Sequence, residues 1–190
     1  MGIGGPLSPM RPAIFLDRDG VLNAALRDAA GRPLPPRSAA ELVILPGVAE
    51  SCGLLRAAGF RLIGCTNQPD IARGTTPPGF VDWVNAQVVA AAGLDEMRVC
   101  PHDDADGCDC RKPKPGMLLA AAARHGIDLS ASWMVGDRFR DIEAGQAAGC
   151  RTLFIDCGYP ERAPARPPTA TAASLADGIC FLLPNGGSPA

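Results

Sequence analysis

Aromatic residues and excess positive charge are both scarce in this sequence. Aromatic side chains make up 5% of the 190 residues, and 18 basic residues stand against 20 acidic ones, for a formal net charge of −2. Surfaces that bind nucleic acid combine clustered basic residues with stacking aromatic rings. The composition therefore argues against nucleic acid as a partner, although it does not rule out a local basic patch.

Long apolar segments are also missing. No stretch approaches the ~20 apolar residues that a membrane-spanning helix requires, and the first apolar run, Ala13 to Leu16, ends at Asp17. Residues 1–12 are rich in glycine and proline and lack the apolar centre of a signal peptide. We therefore expect a cytoplasmic protein without membrane contact, whose residues 1–10 are disordered.

Cysteine is present, but it does not indicate a disulfide framework. The chain has eight cysteines, and a protein without an export signal is expected to keep them reduced. Five are scattered and are interpreted as small apolar residues: Cys52, Cys65, Cys150, Cys157 and Cys180. The other three lie between residues 100 and 110 and require a separate explanation.

Apolar runs and helical stretches alternate along the chain. Runs typical of buried strands occur at 12–16, 60–65, 97–100, 133–136 and 152–155. Helices are predicted at 46–58, 80–92, 116–125, 140–148 and 172–183. This alternation predicts an α/β fold with a Rossmann-like, doubly wound parallel sheet. We expect one domain over residues 11–183, with an extended segment at 159–171 and a tail at 184–190.

Polar side chains follow several of the predicted strands. Asp17, Asp19 and Gly20 come after the first strand, and Thr66 comes after the second. Two carboxylates on a tight turn can act together, one as a nucleophile and the other in proton transfer. Each motif alone also fits an ordinary polar turn. Parallel sheets bind ligands at the carboxyl ends of their strands, so we expect these motifs to meet.

Two later motifs complete a charge-balanced site. Asp137 follows the fourth strand, Asp141 lies one helical turn further, and Lys112 precedes a helix. Acidic residues in the first turn of a helix are also common without an active site. Asp17, Asp19 and Asp137 would repel a phosphate dianion unless a divalent cation lay among them, and carboxylate oxygens suit Mg²⁺. With Lys112 added, the site would stabilise a transferring phosphoryl group.

These residues, in this order, resemble the four motifs of the haloacid dehalogenase superfamily of phosphatases. The resemblance spans residues 12 to 158. It implies that Asp17 is the nucleophile and forms an aspartyl-phosphate. It further implies that Asp19 protonates the leaving oxygen and then activates water, while Thr66 and Lys112 hold the phosphoryl oxygens.

The same resemblance implies the magnesium ligands. Asp17, Asp137 and the backbone carbonyl of Asp19 are expected to bind Mg²⁺. Asp141 is expected to support that site without binding the ion.

A second cluster combines sulfur and nitrogen ligands, namely Cys100, His102, Cys108 and Cys110. Three thiolates and one imidazole form a four-ligand set with no open position, which is typical of a structural Zn²⁺ site. The alternative is a flexible loop with free thiols. The last ligand lies two residues before Lys112. Zinc in the loop 100–110 would therefore fix the segment that carries the catalytic lysine.

This zinc loop is similar to that of one branch of the superfamily. The branch contains the D-glycero-D-manno-heptose-1,7-bisphosphate 7-phosphatases and the histidinol-phosphate phosphatase domain. Residues 71–74 and 115–117 resemble the heptose enzymes, whereas the usual His-Gly-Tyr run after the first motif is absent. The resemblance implies that Asn67, Gln68 and Pro69 line the substrate pocket and that Arg111 recognises the substrate.

These features predict a Mg²⁺-dependent phosphatase that acts on a small phosphorylated sugar, with the 7-phosphate of a heptose bisphosphate as the first candidate. Histidinol phosphate is the alternative substrate. The alternative from another class is an inactive interaction module stabilised by zinc. The intact set of motif residues argues against inactivity, and the charge balance argues against phosphorylated nucleic-acid ends.

No cap domain is expected. The intervals between the motifs are too short for a separate lid, because domains rarely have fewer than about 50 residues. Substrate specificity should therefore come from loops, chiefly 24–45, 70–79 and the zinc loop. We expect the protein to act as a monomer.

Overall fold

The protein is described by a computed structural model that covers residues 10–184. The predicted disordered segment 1–10 lies outside the described residues except for Met10, and the predicted tail 184–190 lies outside them except for Pro184. Among the described residues, no helix combines the length and apolar character needed to cross a membrane.

Over residues 10–184, eight strands and five α-helices build the fold. The strands are β1 (Ala13–Leu16), β2 (Leu26–Arg27), β3 (Pro33–Leu34), β4 (Arg61–Asn67), β5 (Glu96–Cys100), β6 (Trp133–Gly136), β7 (Arg151–Ile155) and β8 (Ala170–Ala172). The helices are α1 (Val48–Ala57), α2 (Pro78–Ala92), α3 (Gly116–His125), α4 (Phe139–Ala147) and α5 (Leu175–Leu182). The predicted elements are present, with ends that match or are shifted by at most three residues.

Six of the strands form one parallel sheet in the order β5-β4-β1-β6-β7-β8. From β1 the chain first extends the sheet on one side, through β4 and β5, and then continues on the other side, from β6 to β8. This reversal creates the switch point at which doubly wound sheets bind ligands. The predicted α/β class is confirmed.

The core occupies both faces of the sheet because successive side chains of a strand point to opposite faces. In β1, Ile14 and Leu16 pack on the face covered by α1, α2 and α5. Ala13 and Phe15 pack on the opposite face, against α3, and α4 also crosses this face. Burial of each large apolar side chain in this way contributes about 1.5–3 kcal/mol to the stability of the folded state. The two helical layers therefore hold the sheet edge with the polar motifs in one fixed arrangement.

Three short strands were not predicted. The antiparallel pair β2–β3 forms a hairpin inside the loop 24–45, and its turn is held by Asp28, which accepts from the backbone N–H groups of Ala30 and Arg32. The strand β8 occupies the end of the predicted extended segment and extends the sheet beside β7. Strands of two or three residues are too short to show a hydrophobic period, so the sequence pattern did not reveal them.

Candidate functional site

Three carboxylates meet at the carboxyl end of the sheet. Asp17 follows β1, Asp137 follows β6, and Asp141 lies in the first turn of α4. All three are buried, and their candidate ligand oxygens lie within 4.8 Å of one another. We call these three residues the carboxylate cluster. The cluster brings together the ends of two adjacent strands, as the predicted parallel sheet requires.

Two glycines permit this close approach. A Cβ atom on Gly20 would lie 1.8 Å from Oδ2 of Asp137, and the residue has a φ of +94°, which other residues rarely adopt. A Cβ atom on Gly136 would lie 2.1 Å from the Cβ of Asp141. Any larger side chain at either position would push the carboxylates apart.

Lys112 supplies a buried positive charge to the cluster. Its Nζ donates to Oδ1 of Asp17 at 2.7 Å and to the carbonyl oxygen of Cys65 at 2.6 Å, and it lies 2.5 Å from Oδ1 of Asp141. Burial opposes the charge of this lysine, but Asp141 and Asp17 outweigh it and raise the pKa of Lys112 above its ordinary value. The ammonium group is therefore held in its charged form.

The carboxylates themselves carry more negative charge than Lys112 neutralises. Burial raises the pKa of Asp17 to about 6, although Lys112 opposes the shift. Burial, with the charges of Asp17 and Asp141, also raises the pKa of Asp137 well above its ordinary value. No hydrogen bond of normal geometry reaches either carboxylate oxygen of Asp137, although the hydroxyl of Tyr159 lies beside it and partly offsets the rise in its pKa. Buried polar atoms are normally satisfied, so this arrangement fits a cation, and its hard oxygen donors suit Mg²⁺.

The carboxylate of Asp19 does not join the cluster. It accepts three hydrogen bonds of 2.8–3.2 Å from the guanidinium of Arg18, and one of 3.0 Å from each of the side-chain amides of Asn23 and Gln68. Arg18 is itself only 1% exposed and also donates to Oδ1 of Asn85 at 2.8 Å. The predicted acid–base residue is thus surrounded by donors and is held as an acceptor.

The predicted pocket residues after β4 differ in what they contact. The Gln68 amide, which is 2% exposed, donates to Oγ1 of Thr66 at 2.8 Å as well as to Asp19. The Asn67 amide nitrogen donates to the carbonyl oxygen of Lys112 at 3.0 Å, and the Asn67 amide oxygen accepts from the backbone N–H of Lys112 at 3.1 Å. Both amides are therefore used within the protein, and Asn67 and Pro69 also line the cavity described next.

A cavity of about 420 Å³ opens beside the carboxylate cluster. Its wall includes Asp17, Asp141 and Lys112, and residues of all three loops that were expected to confer specificity. Six arginines line it, namely Arg32, Arg37, Arg73, Arg111, Arg138 and Arg140. Six aspartates also line it, so with Lys112 seven basic side chains stand against six acidic ones. The arginines therefore offer local sites for an anion in a wall of mixed charge.

The predicted sulfur ligands also come together. Sγ of Cys108 lies 3.7 Å from Sγ of Cys100 and 3.4 Å from Sγ of Cys110, and Nδ1 of His102 lies 3.3 Å from Sγ of Cys110 and 3.7 Å from Sγ of Cys100. These four residues are called the thiol cluster. A tetrahedral zinc site with Zn–S bonds of ~2.3 Å has S···S edges of about 3.8 Å, and a disulfide would need about 2.05 Å. The spacing fits zinc better than cystine.

The segment after the thiol cluster connects it to the cavity. Arg111 donates from Nη1 to the carbonyl oxygen of His102 at 3.1 Å and from Nε to Oδ1 of Asp104 at 2.7 Å. Lys112 follows directly, with its ammonium group in the carboxylate cluster. The two clusters are therefore joined by two consecutive residues.

Three features of this site were missed by the sequence analysis. Arg18 stands between two motif residues, but arginine is rarely buried and its environment was not predicted. Asn85 lies on the buried face of α2 with Val84 and Val88, and a polar residue on an apolar face was the available signal. Arg140 precedes Asp141 in the first turn of α4 and gave no signal that distinguishes it from other surface arginines.

Comparison with known proteins agrees with this geometry. A family described as HAD-hydrolase-like matches residues 109–178. The D-glycero-beta-D-manno-heptose-1,7-bisphosphate 7-phosphatase of Pseudomonas putida is 39% identical over 154 residues, which are 78% of this chain and 85% of that protein. The protein of the same name from Pseudomonas aeruginosa is 36% identical over 162 residues, which are 83% and 88% of the two chains.

A solved structure gives the same relationship. The crystal structure of D,D-heptose 1,7-bisphosphate phosphatase from B. bronchiseptica, complexed with magnesium and phosphate, matches with a TM-score of 0.72 and 30% identity. The match covers 90% of this chain and 97% of that chain. The resemblance drawn from the motifs is confirmed, and this chain belongs to the haloacid dehalogenase-like hydrolases, among the relatives of the heptose bisphosphate phosphatases.

Proposed function

We propose that this protein is a Mg²⁺-dependent phosphatase that removes the 7-phosphate of D-glycero-D-manno-heptose 1,7-bisphosphate. The observation that carries the proposal is the buried Lys112 ammonium between Asp17 and Asp141, beside the carboxylate of Asp137, which no hydrogen bond of normal geometry reaches. Such a group of charges is costly to bury without a function. The names of the relatives support the substrate.

We assign the magnesium site to the carboxylate cluster. Asp17 and Asp137 would hold the ion, together with the backbone carbonyl of Asp19, and Asp141 would support it through Lys112. The ion, when bound, neutralises charge on the transferring phosphoryl oxygens and orients the group for in-line attack.

Asp17 performs the first chemical step. Its carboxylate oxygen attacks phosphorus and forms a new P–O bond, while the bond between phosphorus and the sugar oxygen breaks. Lys112 and the hydroxyl of Thr66 stabilise the phosphoryl oxygens, and Lys112 also keeps Asp17 ionised at neutral pH against the cost of burial. The product of this step is an aspartyl-phosphate.

Asp19 moves the protons of both steps. In its protonated form it gives a proton to the departing sugar oxygen, and the resulting carboxylate then takes a proton from water. That water attacks phosphorus, the bond to Asp17 breaks, and inorganic phosphate leaves. Asp19 must turn away from some of its donors to reach the leaving oxygen, because Arg18, Asn23 and Gln68 surround its carboxylate.

We also propose that the thiol cluster binds structural zinc. Four ligands with no open position leave no place for substrate at that ion. The site instead fixes the loop that ends in Arg111 and Lys112. A metal that touches no substrate would thus support catalysis by fixing the position of the lysine.

The remaining assignments stay predictions. A cavity with several arginines in its wall suits a small sugar with two phosphates, and histidinol phosphate is the competing substrate. The absence of a cap domain also stays a prediction. Cytoplasmic location and a monomeric state are expected from the sequence.

Phosphate release from an aryl phosphate with Mg²⁺ tests the enzyme class. We expect activity that is lost with EDTA and restored by Mg²⁺. Asp17→Asn should reduce it by at least about 10³-fold, because the bond to phosphorus cannot form in the same way without the nucleophile. Asp82→Asn on the surface helix α2 is the matched control. A panel of both heptose 1,7-bisphosphate anomers, hexose phosphates and histidinol phosphate then ranks the substrates. A preference for histidinol phosphate would replace the proposed substrate, and no turnover of any of them would favour the inactive module.

A further inference from the structure

One carboxylate of the zinc loop occupies a place that suits a substrate anion. Asp104 accepts from both terminal nitrogens of Arg140, at 3.0 Å from Nη1 to Oδ1 and 3.3 Å from Nη2 to Oδ2. Its Oδ1 also accepts from Nε of Arg111 at 2.7 Å. All three residues line the cavity beside the carboxylate cluster. Two guanidinium groups therefore converge on a single carboxylate inside the substrate cavity.

This arrangement is the one with which arginine binds phosphate. The two parallel hydrogen bonds from Arg140 form the fork that is typical of arginine with a carboxylate or a phosphate. Arg140 lies next to Asp141 in the first turn of α4, so its position relative to the reacting centre is fixed by the helix. The anion that it holds would thus lie at a defined distance from the transferred phosphoryl group.

The bond to Asp104 is weak enough to be exchanged. The Asp104 side chain is 58% exposed, so water and other anions can compete for its place beside the arginines. A phosphate group carries close to two negative charges at neutral pH, against one for the carboxylate, and it offers three acceptor oxygens. A phosphate that enters the cavity can therefore displace Asp104 from Arg140.

The other arginines of the cavity are less suited to this role. Arg32 is bound by Asp28 of its own hairpin and is 69% exposed. Arg73 is held by Asp103 through two bonds of 2.6 and 2.8 Å, and Arg138 pairs with Glu161. Asp103 also lies 3.9 Å from Arg111, and Asp70 lies 3.4 Å from Arg73 and 3.8 Å from Arg37. Among the carboxylates that pair with these arginines, however, only Asp104 accepts hydrogen bonds of 3.0 Å or less from two guanidinium groups.

We propose that Arg140 determines substrate specificity by binding the phosphate that is not cleaved, and that Asp104 holds its place until the substrate arrives. The proposal rests on the phosphatase function proposed above. It predicts that the protein selects substrates with a second phosphate, because a neutral group cannot compete with Asp104 for the guanidinium. Arg140 is a residue of this chain to which the sequence analysis gave no role.

The first test compares two substrates in one variant. Arg140→Gln should lower the ratio of kcat/KM for heptose 1,7-bisphosphate to kcat/KM for an aryl phosphate by about 10- to 100-fold, the range expected for hydrogen bonds to a charged group. The loss should be in KM rather than in kcat, and Arg140→Lys should recover part of it because the charge remains. Arg56→Gln removes an exposed arginine that pairs with Asp95 and should leave the ratio unchanged.

The second test addresses the carboxylate. Asp104→Asn removes the competitor and should lower KM for the bisphosphate about threefold or more relative to the aryl phosphate, a gain that should vanish in the double variant with Arg140→Gln. A raised KM in Asp104→Asn would show that Asp104 only orients the arginines and would overturn its role as a competitor.

The outcomes separate this inference from the proposed function. If the wild-type protein hydrolyses the aryl phosphate but Arg140→Gln leaves the substrate ratio unchanged, the inference fails and the phosphatase assignment stands. If the wild-type protein hydrolyses neither substrate, the proposed function fails first. Thermal unfolding of each variant shows whether a lower ratio of the two kcat/KM values results from a misfolded protein.

Discussion

The carboxylate cluster and the thiol cluster lie at the same end of the sheet, but the chain builds them in different ways. Asp17, Asp137 and Asp141 come from segments more than a hundred residues apart and meet only because β1 and β6 are adjacent in the sheet. The thiol cluster comes from a single loop, between residues 100 and 110. One site therefore depends on the whole fold, and the other depends on local spacing.

The two clusters also differ in burial and charge. Asp17, Asp137, Asp141 and Lys112 are all buried, whereas three of the four members of the thiol cluster are partly exposed. Buried charges interact strongly and are costly to leave unpaired. The proposed chemistry is thus concentrated at the buried cluster, while the thiol cluster is proposed to fix the position of one lysine.

The largest effect is expected from breaking the carboxylate cluster alone. Lys112→Met leaves Asp17 and Asp141 facing each other without a countercharge. We expect kcat to fall by about 10³-fold, in line with the loss of a preorganised charge in an active site, and the free energy of unfolding to fall by about 3–5 kcal/mol, as for a broken buried ion pair. Steady-state kinetics and denaturant unfolding measure the two effects.

Lys114→Met is the matched control for this change. Its side chain lies two residues further along the same segment, is about half exposed, and contacts Asp109 at 3.4 Å. Lys114→Met should change neither kcat nor the free energy of unfolding measurably, since exposed ion pairs contribute little to stability. The zinc content of both variants should equal that of the wild type. Loss of zinc in Lys112→Met would show that metal binding by the thiol cluster depends on the carboxylate cluster.

A smaller effect is expected from breaking the thiol cluster alone. Cys108→Ser removes one ligand of the proposed zinc site and loosens the loop before Arg111 and Lys112. We expect loss of bound zinc, a lower melting temperature, and a kcat reduced by about 10- to 100-fold, the range found for residues that orient catalytic groups indirectly. Metal analysis, thermal unfolding and kinetics on one preparation measure these together.

Cys180→Ser controls for the loss of a thiol as such, because Cys180 is exposed and lies outside the cluster. It should retain zinc and activity. Unchanged turnover in a Cys108→Ser protein shown to be free of zinc would contradict the proposed coupling between the loop and the lysine.

The same contrast explains what could be predicted from the sequence. The α/β class followed from alternating apolar runs, and the motifs predicted which residues meet at the sheet edge, because parallel strands place their carboxyl ends together. The thiol cluster followed from spacing alone. The hairpin β2–β3 did not, since two-residue strands have no period, and neither did the buried position of Arg18, which depends on Asn85 of α2.

The details of the site depend on side-chain orientation, which sequence order does not specify. The backbone carbonyl of Asp19 was predicted to bind magnesium. The structure adds that the Asp19 carboxylate points to Arg18 and that Asp141 is the third carboxylate of the cluster. The resemblance implied that Asn67 and Gln68 line the substrate pocket. Asn67 lies in the cavity wall, and both amides are also bonded within the protein. Only the packed structure distinguishes a residue that lines a pocket from one that holds its neighbour.

The smallest expected effect tests the junction between the two clusters, where Asn67 at the end of β4 is bonded to the backbone of Lys112. Asn67→Ala removes both hydrogen bonds. If Asn67 positions the lysine, kcat should fall by about 3- to 10-fold with little change in KM, since each neutral hydrogen bond contributes about 1 kcal/mol and the backbone can relax. If it binds substrate instead, as the sequence analysis predicted, KM should rise. Gln146→Ala, which removes comparable amide bonds to the carbonyl groups of Arg166 and Pro167, should change neither constant. A rise in KM alone would therefore indicate that Asn67 contacts the substrate and does not position Lys112. The thiol cluster would then lack this connection to the catalytic lysine.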